Sequence, residues 1–239
     1  MSDTEKLADV FGRHNVTGTI VVESLLGDRT FVHNPDRASI EYSPASTFKI
    51  PNSLIALGNG VVESKYSDFK WDGKDKGRSQ WNQDQTLGSA FKVSCVWCYQ
   101  EIARGVGAER YRAALRDLNY GNHDIGAEVD MFWLNGDLAI SAWGQIEFLR
   151  SFHREETGHS LADVEIVKDI MRVEQNDAYS LHAKSGWTGP GLHTGWYVGY
   201  VTTQKTTWLF AMNMDMEDAS QAPLRHDVTV QVLQALNII

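Results

Sequence analysis

Runs of β-branched and aromatic residues mark both ends of the chain as strand-forming. Residues 18–23 and 29–32 are two such runs, and the turn-forming residues 26–28 between them predict a β-hairpin. Three further runs predict successive antiparallel strands near the C-terminus, at residues 179–183, 195–201 and 207–212. Apolar residues then recur at helical spacing over residues 224–236, which predicts a closing helix.

The middle of the chain has the periodicity of helices. Apolar positions recur at helical spacing in five segments, at residues 54–57, 94–104, 109–118, 141–149 and 161–173. Ser141 and Ser160 stand where helix N-caps are preferred. Strands at both termini around a helical middle predict an α+β fold rather than alternating βαβ units. We expect an antiparallel sheet built from the N- and C-terminal strands, with flanking helices and an inserted helical subdomain.

Composition and length agree with a folded protein. The chain has 239 residues, of which 42% are hydrophobic and 22% are charged. These values exclude disordered and fibrous classes, and the length is ample for a hydrophobic core. Because no repeat or linker interrupts the sequence, we expect a single domain over residues 1–239. Its α/β part would be formed by about 1–40 and 175–239, and its helical part by about 41–174.

Charge and hydropathy limit the classes of partner. With 22 Lys and Arg against 31 Asp and Glu, the net charge is −9, so we expect neither a nucleic acid nor a membrane as partner. One local arginine could still bind an anionic substrate. No apolar stretch approaches the ~20 residues that span a bilayer. Residues 1–6 lack the apolar core of a signal peptide, so the protein is either cytosolic or has lost its signal peptide.

The first candidate chemistry is a serine and a lysine three residues apart. Ser46 and Lys49 would share one face of a helix, with their side chains in reach of each other. A serine hydroxyl is a weak nucleophile until a base takes its proton, and lysine can supply that base. An S-x-x-K pair, followed by two further elements, occurs in serine β-lactamases and penicillin-binding proteins. Alone, the pair is a weak signal, and without further support the start of a surface helix is the favoured interpretation.

Two downstream segments strengthen this interpretation. Residues 184–186, Lys-Ser-Gly, stand in a predicted strand, where a cation and a hydroxyl could hold a substrate carboxylate. Ser94 begins a predicted helix and could be the middle element. The alternatives are an ordinary strand end and an N-cap serine. All three elements in this order and at these separations are much more specific than any one of them.

Further segments extend the pattern over most of the chain. The segments are residues 44–54 around the S-x-x-K pair, 94–96 as S-x-V, 120–122 as Y/F-G-N, 184–186 as K-S/T-G, and 132–134, 140–142 and 211–215. In these segments the sequence resembles the class D (OXA-type) serine β-lactamases. The resemblance runs from about Gly18 to the C-terminus. It implies a serine β-lactamase/penicillin-binding-protein-like fold.

The resemblance implies a role for each residue of the catalytic group. Ser46 would be acylated by the β-lactam carbonyl. Lys49 would carry a carbamate made with CO2, as N6-carboxylysine, and act as general base. Trp133 would donate its indole N–H to the carbamate. Ser94 and Lys184 would relay a proton to the lactam nitrogen.

The resemblance also implies the walls of a substrate pocket. Ser185 and Arg225 would bind the substrate carboxylate, and the backbone N–H groups of Ser46 and Trp187 would form an oxyanion hole. Val96 and Leu134 would border the carbamate and limit the access of water. Gly186 and Trp81 would also line the pocket.

Elementary chemistry supports the lysine's role. A free lysine has a pKa of ~10.4, so about one in a thousand is unprotonated near neutral pH. Burial among Phe48, Val96, Trp133 and Leu134 would lower the pKa of Lys49. The neutral amine could then react with CO2. The eight histidines form no metal-binding pattern, so we expect no metal and no cofactor other than CO2 or bicarbonate.

The chain's two cysteines, Cys95 and Cys98, lie within the S-x-V helix. A C-x-x-C pair can mark a thiol-disulfide oxidoreductase, but this pair is not near a βαβ pattern. The resemblance implies a periplasmic protein, and disulfides persist in the periplasm. In a helical turn, two residues three positions apart have their Cα atoms within disulfide range. We therefore expect a Cys95–Cys98 bridge. Two buried thiols packed as apolar groups are the alternative. Trp97 stands where many relatives have proline.

The sequence therefore predicts a hydrolase that opens the β-lactam ring of penicillin-type antibiotics through a Ser46 acyl-enzyme and confers resistance. The alternative is a non-hydrolytic β-lactam sensor or penicillin-binding domain. The glycine-rich turn at residues 187–194 lacks the basic residue of some carbapenem-hydrolysing relatives, so we do not expect strong carbapenem hydrolysis. The partner would be a small β-lactam, and the protein a periplasmic monomer or homodimer.

Overall fold

A six-stranded antiparallel sheet organises the computed structural model, which describes residues 1–189 and 191–239. Its strands are β1 (Gly18–Ser24), β2 (Thr30–His33), β5 (Arg172–Gln175), β6 (Tyr179–Trp187), β7 (Thr194–Thr203) and β8 (Thr207–Asp215), in the order β2-β1-β8-β7-β6-β5. Two short strands, β3 (Asp68–Phe69) and β4 (Gln85–Thr86), pair separately. Pro190, in the predicted turn at residues 187–194, lies outside the described residues.

Nine helices cover the sheet and fill the middle of the described chain. They are α1 (Asp3–Arg13), α2 (Pro35–Ala38), α3 (Lys49–Gly58), α4 (Leu87–Lys92), α5 (Val96–Val106), α6 (Ala108–Asp117), α7 (Ala142–His153), α8 (Leu161–Ile170) and α9 (Ala222–Ala235). The predicted caps are confirmed, since the Ser141 side chain accepts from Gly144 N and the Ser160 side chain from Asp163 N. Within the described ranges no helix is long and apolar enough to cross a membrane.

The sheet separates two hydrophobic cores. On one face, α1 and α9 cover alternate residues of β1 such as Ile20 and Val22. On the other face, Val21 joins the larger core of the helical part. Because both faces are covered, β1 is buried along its whole length. The α+β fold with its sheet from both chain ends confirms the predicted fold class.

The division between the two parts is less sharp than the sequence suggests. Helix α7 lies in the stretch expected to be helical, yet it packs directly on β8 and β1. Strand β5 begins at Arg172, and α8 therefore ends before it rather than at Val173. The helical part consequently shares a core with one face of the sheet.

Candidate active site

Ser46 lies in a tight turn at the edge of the sheet. A 3₁₀ turn, Ala45–Phe48, carries it and leads directly into α3. With three residues per 3₁₀ turn, the side chains of Ser46 and Lys49 stand on one face, and Lys49 Nζ lies 3.4 Å from Ser46 Oγ. Gln145 of α7 fixes this turn, since its Nε2 donates to Thr47 Oγ1 over 3.0 Å.

Strand β6 passes unusually close to the Ser46 turn. A Cβ added at Gly186 would lie 3.0 Å from the carbonyl oxygen of Pro44 and 3.2 Å from Thr47 Cγ2. A larger residue would fit only if the turn or the strand gave way by a few tenths of an ångström. The glycine after Lys184 and Ser185 therefore lets β6 pass close to the Ser46 turn.

Lys49 is fully buried, which is exceptional for a lysine. Burial lowers its pKa to about 7. No carboxylate in the described part of the chain forms an ion pair with it; instead, Nζ lies 4.6 Å from the centre of the Tyr99 ring. A large fraction of this amine is therefore neutral at physiological pH.

Trp133 brings an unused hydrogen-bond donor to the same region. Phe48, the residue before Lys49, stacks on the indole with 5.7 Å between ring centroids. The indole Nε1 of Trp133 is buried and has no partner among the residues described. An unpartnered buried donor costs about 1–3 kcal/mol. Since an indole N–H can only donate, this position suits an anionic oxygen.

Ser94 and Lys184 form a second pair beside the first. Lys184 Nζ donates to Ser94 Oγ over 2.6 Å and to the carbonyl oxygen of Ser185 over 2.9 Å. Lys184 is almost fully buried. Burial holds the pKa of Lys184 well below its ordinary value, and the charges of Lys49 and Arg225 lower it further.

The N-cap alternative for Ser94 is wrong. Helix α5 begins at Val96, and its N-cap is Cys95, whose sulfur accepts from the backbone N–H of Cys98. Ser94 precedes the cap, in the left-handed region with φ of 55°. Its hydroxyl is therefore free of capping and points to Lys184.

Cys95 and Cys98 form a disulfide in the structure, with Cα atoms 5.6 Å apart. Both residues are fully buried. Disulfide exchange requires an attacking thiolate to reach a sulfur atom, so this burial argues against an oxidoreductase. The bridge lies between Ser94 and the body of α5.

A cavity of about 500 Å³ opens above these groups. Nine residues named from the sequence line it: Ser46, Trp81, Ser94, Val96, Leu134, Ser185, Gly186, Trp187 and Arg225. The three other predicted residues, Lys49, Trp133 and Lys184, are buried in the protein interior. Four lining residues were missed by the sequence analysis: Arg78, Met216, Ala219 and Ala222. No local sequence pattern marks Arg78, because it reaches the cavity only through its stacking on Trp81.

Arg225 extends from α9 to the end of β6. Its Nε donates to the carbonyl oxygen of Ala222 over 3.0 Å, and its Nη1 donates to that of Gly186. Burial lowers its pKa to about 10, so the guanidinium keeps its charge at neutral pH. A guanidinium has five N–H groups, and most remain for a substrate carboxylate.

The fold and the Ser46–Lys49 and Ser94–Lys184 pairs match the arrangement expected of the class of serine β-lactamases and penicillin-binding proteins. The model of the penicillin-binding-protein transpeptidase domain matches residues 22–234. The chain is 42% identical to β-lactamase OXA-48 of Klebsiella pneumoniae, over 96% of this chain and 87% of that protein.

Solved structures give the same result. The class D β-lactamase FUS-1 (OXA-85) of Fusobacterium nucleatum subsp. polymorphum is 37% identical, with a TM-score of 0.95 and 98% of each chain covered. The class D β-lactamase YbXI from Nostoc is 38% identical, with a TM-score of 0.94, covering 97% of this chain and 98% of that one. The chain belongs to the penicillin-binding-protein transpeptidase family and, within it, to the class D serine β-lactamases.

Proposed function

We propose that this protein hydrolyses β-lactams through an acyl-enzyme on Ser46, with Lys49 as the general base after carboxylation by CO2. One observation carries the proposal: the Ser46 hydroxyl lies 3.4 Å from a fully buried lysine whose pKa is about 7. A nucleophile and a base in reach of each other are the minimum that acyl transfer requires.

The surroundings of Lys49 fit a carbamate. The neutral amine can react with CO2, the buried Trp133 Nε1 has no described partner, and the apolar ring of Phe48 stacks on that indole. When bound, CO2 would give this lysine a carboxylate-like base for acylation and deacylation. Trp133 would hold the anionic oxygen in place through a charge-assisted hydrogen bond.

The second lysine–serine pair fits proton delivery to the leaving group. As Ser46 Oγ bonds to the lactam carbonyl carbon, its proton passes to the base. As the carbon–nitrogen bond breaks, Lys184 would supply a proton to the ring nitrogen through the Ser94 hydroxyl, which it contacts at 2.6 Å. The backbone N–H groups of Ser46 and Trp187 would stabilise the oxyanion.

Ser185 and Arg225 fit the carboxylate that penicillins carry beside the ring. Both line the cavity, and Arg225 retains its charge at neutral pH. A bidentate arginine contact fixes orientation as well as adding affinity. We expect Arg225→Ala to lower kcat/KM by roughly one to two orders of magnitude, from the 1.5–3 kcal/mol typical of a charged hydrogen bond.

Turnover separates a hydrolase from a β-lactam sensor. A sensor would stay acylated after one reaction, whereas a hydrolase needs a base for deacylation. We expect the protein to consume a large excess of nitrocefin, faster with added bicarbonate. A single stoichiometric burst, unchanged by bicarbonate, would contradict the proposal.

We also propose that the protein acts in the periplasm, as its resemblance implies, because a disulfide such as Cys95–Cys98 persists in oxidising compartments. Fractionation of cells of the native host, with detection of the protein in each fraction, would test this. Recovery in the cytosol with both thiols reduced would contradict it. Whether the protein is a monomer or a homodimer stays a prediction for measurement of its mass in solution.

A further inference from the structure

Two arginines contribute to the substrate cavity, although the chain as a whole has a net charge of −9. They are Arg78 and Arg225. Among the described residues that line the cavity, none is an aspartate or a glutamate. The cavity is therefore locally cationic in an acidic protein, which favours anionic ligands.

Arg225 is already engaged with the protein, whereas Arg78 is not. Arg225 donates to backbone carbonyls of β6 and α9, at Gly186 and Ala222. In the described part of the chain, Arg78 forms no ion pair and its guanidinium makes no hydrogen bond. Its donors remain available to a ligand.

The guanidinium of Arg78 nevertheless has a defined position. It stacks over the Trp81 ring at 4.9 Å from the centroid. Trp81 in turn donates from Nε1 to the carbonyl oxygen of Val93 over 3.0 Å, and its own carbonyl accepts from Trp97 Nε1 over 3.0 Å. Stacking on a fixed indole restricts a side chain that otherwise loses much rotamer freedom on binding.

The two arginines line the same cavity, where their positive charges repel each other. Burial is the main cause of the lowered pKa of Arg225; Tyr197 opposes it, and the charge of Arg78 adds to it. Arg78 belongs to the Trp81 wall beside Ser94, and Arg225 belongs to the wall formed by β6 and α9. An anionic group near each guanidinium would relieve their repulsion.

We propose that Arg78 is a specificity-determining residue that binds a second anionic group, carried on the acyl side chain of the β-lactam. The inference rests on the proposed hydrolysis and names a substrate class for the same site. The ring carboxylate would bind Arg225 and Ser185. The acyl side chain would extend from the Ser46 ester toward Trp81 and Arg78. The cavity, at about 500 Å³, has the usual size for a ligand of this kind.

Two penicillins test this directly. Carbenicillin differs from benzylpenicillin by one carboxylate on the acyl side chain. The informative quantity is the ratio of their kcat/KM values, carbenicillin over benzylpenicillin. We expect Arg78→Gln to lower this ratio about two- to fivefold, the size of effect typical of an exposed charge pair, because the Arg78 side chain is exposed. Arg78→Lys should lower it less, because the charge remains, and the wild-type ratio should fall as NaCl is raised.

Arg29 provides a matched control. It is also an arginine stacked on a tryptophan, 5.1 Å from the centre of the Trp208 ring, but it lies at the opposite end of the sheet from Trp187. Arg29→Gln makes the same change in net charge and should leave the ratio unchanged.

The outcomes are distinct. An unchanged ratio in Arg78→Gln, or an equal fall in Arg29→Gln, overturns the role of Arg78. If the wild type hydrolyses benzylpenicillin and the ratio does not respond to Arg78, only this inference fails. If the wild type turns over neither penicillin, the proposed function fails with it.

Discussion

Lys184 Nζ lies 2.6 Å from Ser94 Oγ, and Ser94 holds a left-handed backbone conformation, with φ of 55°, to make this contact. For a residue with a Cβ, that conformation costs about 1–2 kcal/mol of free energy. The neighbouring Cys95 takes over the capping of α5, which leaves the serine hydroxyl to the lysine. Local strain and an uncommon cap thus coincide at one proposed catalytic side chain.

The first prediction compares two substitutions of Ser94. Both Ser94→Ala and Ser94→Gly remove the hydroxyl, so each should lower kcat by about 10²- to 10⁴-fold. Glycine adopts positive φ without strain, so Ser94→Gly should be more stable than Ser94→Ala by about 1 kcal/mol. Penicillin kinetics and thermal melts measure both effects. A Ser94→Gly variant that is fully active would remove Ser94 from the proton path.

The second prediction concerns the cost of burying Lys49. Its pKa is about 7 in the folded protein, so between pH 7 and the ordinary value of 10.5 the unfolded chain binds more protons. Burying this lysine therefore lowers the free energy of unfolding. The penalty has its full size below pH 7 and disappears as pH rises toward 10.5. Lys49→Met should be more stable than the wild type at pH 6, by on the order of 3–5 kcal/mol.

Urea unfolding in CO2-depleted buffer at several pH values measures this difference. The advantage of Lys49→Met should shrink as pH is raised from 7 to 10.5, and the variant should not turn over penicillin. Lys168, which is paired with Glu155 and Glu165, supplies the control, since Lys168→Met should gain no stability at pH 6. Equal stability of Lys49→Met and the wild type at pH 6 would contradict a depressed lysine pKa.

The third prediction uses the unpartnered indole donor. Trp133→Phe keeps an aromatic ring beside Phe48 but removes Nε1, so it should weaken the carbamate and slow deacylation. We expect acyl-enzyme to accumulate in intact-mass spectra and more bicarbonate to be required for half-maximal activity. Trp196→Phe is the matched control variant. The indole N–H of Trp196 already donates to the carbonyl oxygen of Ser43, so it is not free to bind a carbamate. A bicarbonate requirement that is unaltered in Trp133→Phe would argue against the role of the indole.

The fourth prediction concerns the disulfide next to Ser94. The loop closed by Cys95 and Cys98 is very short, so the double variant Cys95→Ser/Cys98→Ser should lose little stability from loop entropy. We expect a fall in kcat larger than the change in KM, because the bridge braces the turn that aligns Ser94. Alkylation without reductant, followed by peptide mass mapping, tests the bridge itself. Labelling of both thiols in freshly purified, denatured protein would refute it.

The sheet and most helices were predictable because each is marked by a local pattern. Strand β7 is a run of apolar and aromatic residues, and the caps Ser141 and Ser160 are visible in the sequence. Helix α1 was missed, although Ser2 and Glu5 form a capping box there. The apolar face of α1 packs against α9, a contact between the two ends of the chain that the local sequence does not reveal.

The site was predictable where short motifs carry it and not where distant loops meet. The proposed nucleophile Ser46, both lysines and Ser94 were named from motif spacing together with the resemblance. Arg78 enters the cavity because Trp81 is bound to Val93 and Trp97, a contact that no local pattern encodes. The φ of Ser94 and the capping by Cys95 likewise depend on how α4 ends and α5 begins.

Intact-mass spectrometry of the reaction with benzylpenicillin tests the central claim most directly. The wild type should show a transient adduct of one penicillin that disappears as substrate is consumed. Ser46→Ala should show no adduct, and Lys49→Ala should react slowly or retain its adduct, because it lacks the base. An adduct of equal yield in Ser46→Ala, or normal turnover by Lys49→Ala, would contradict the account.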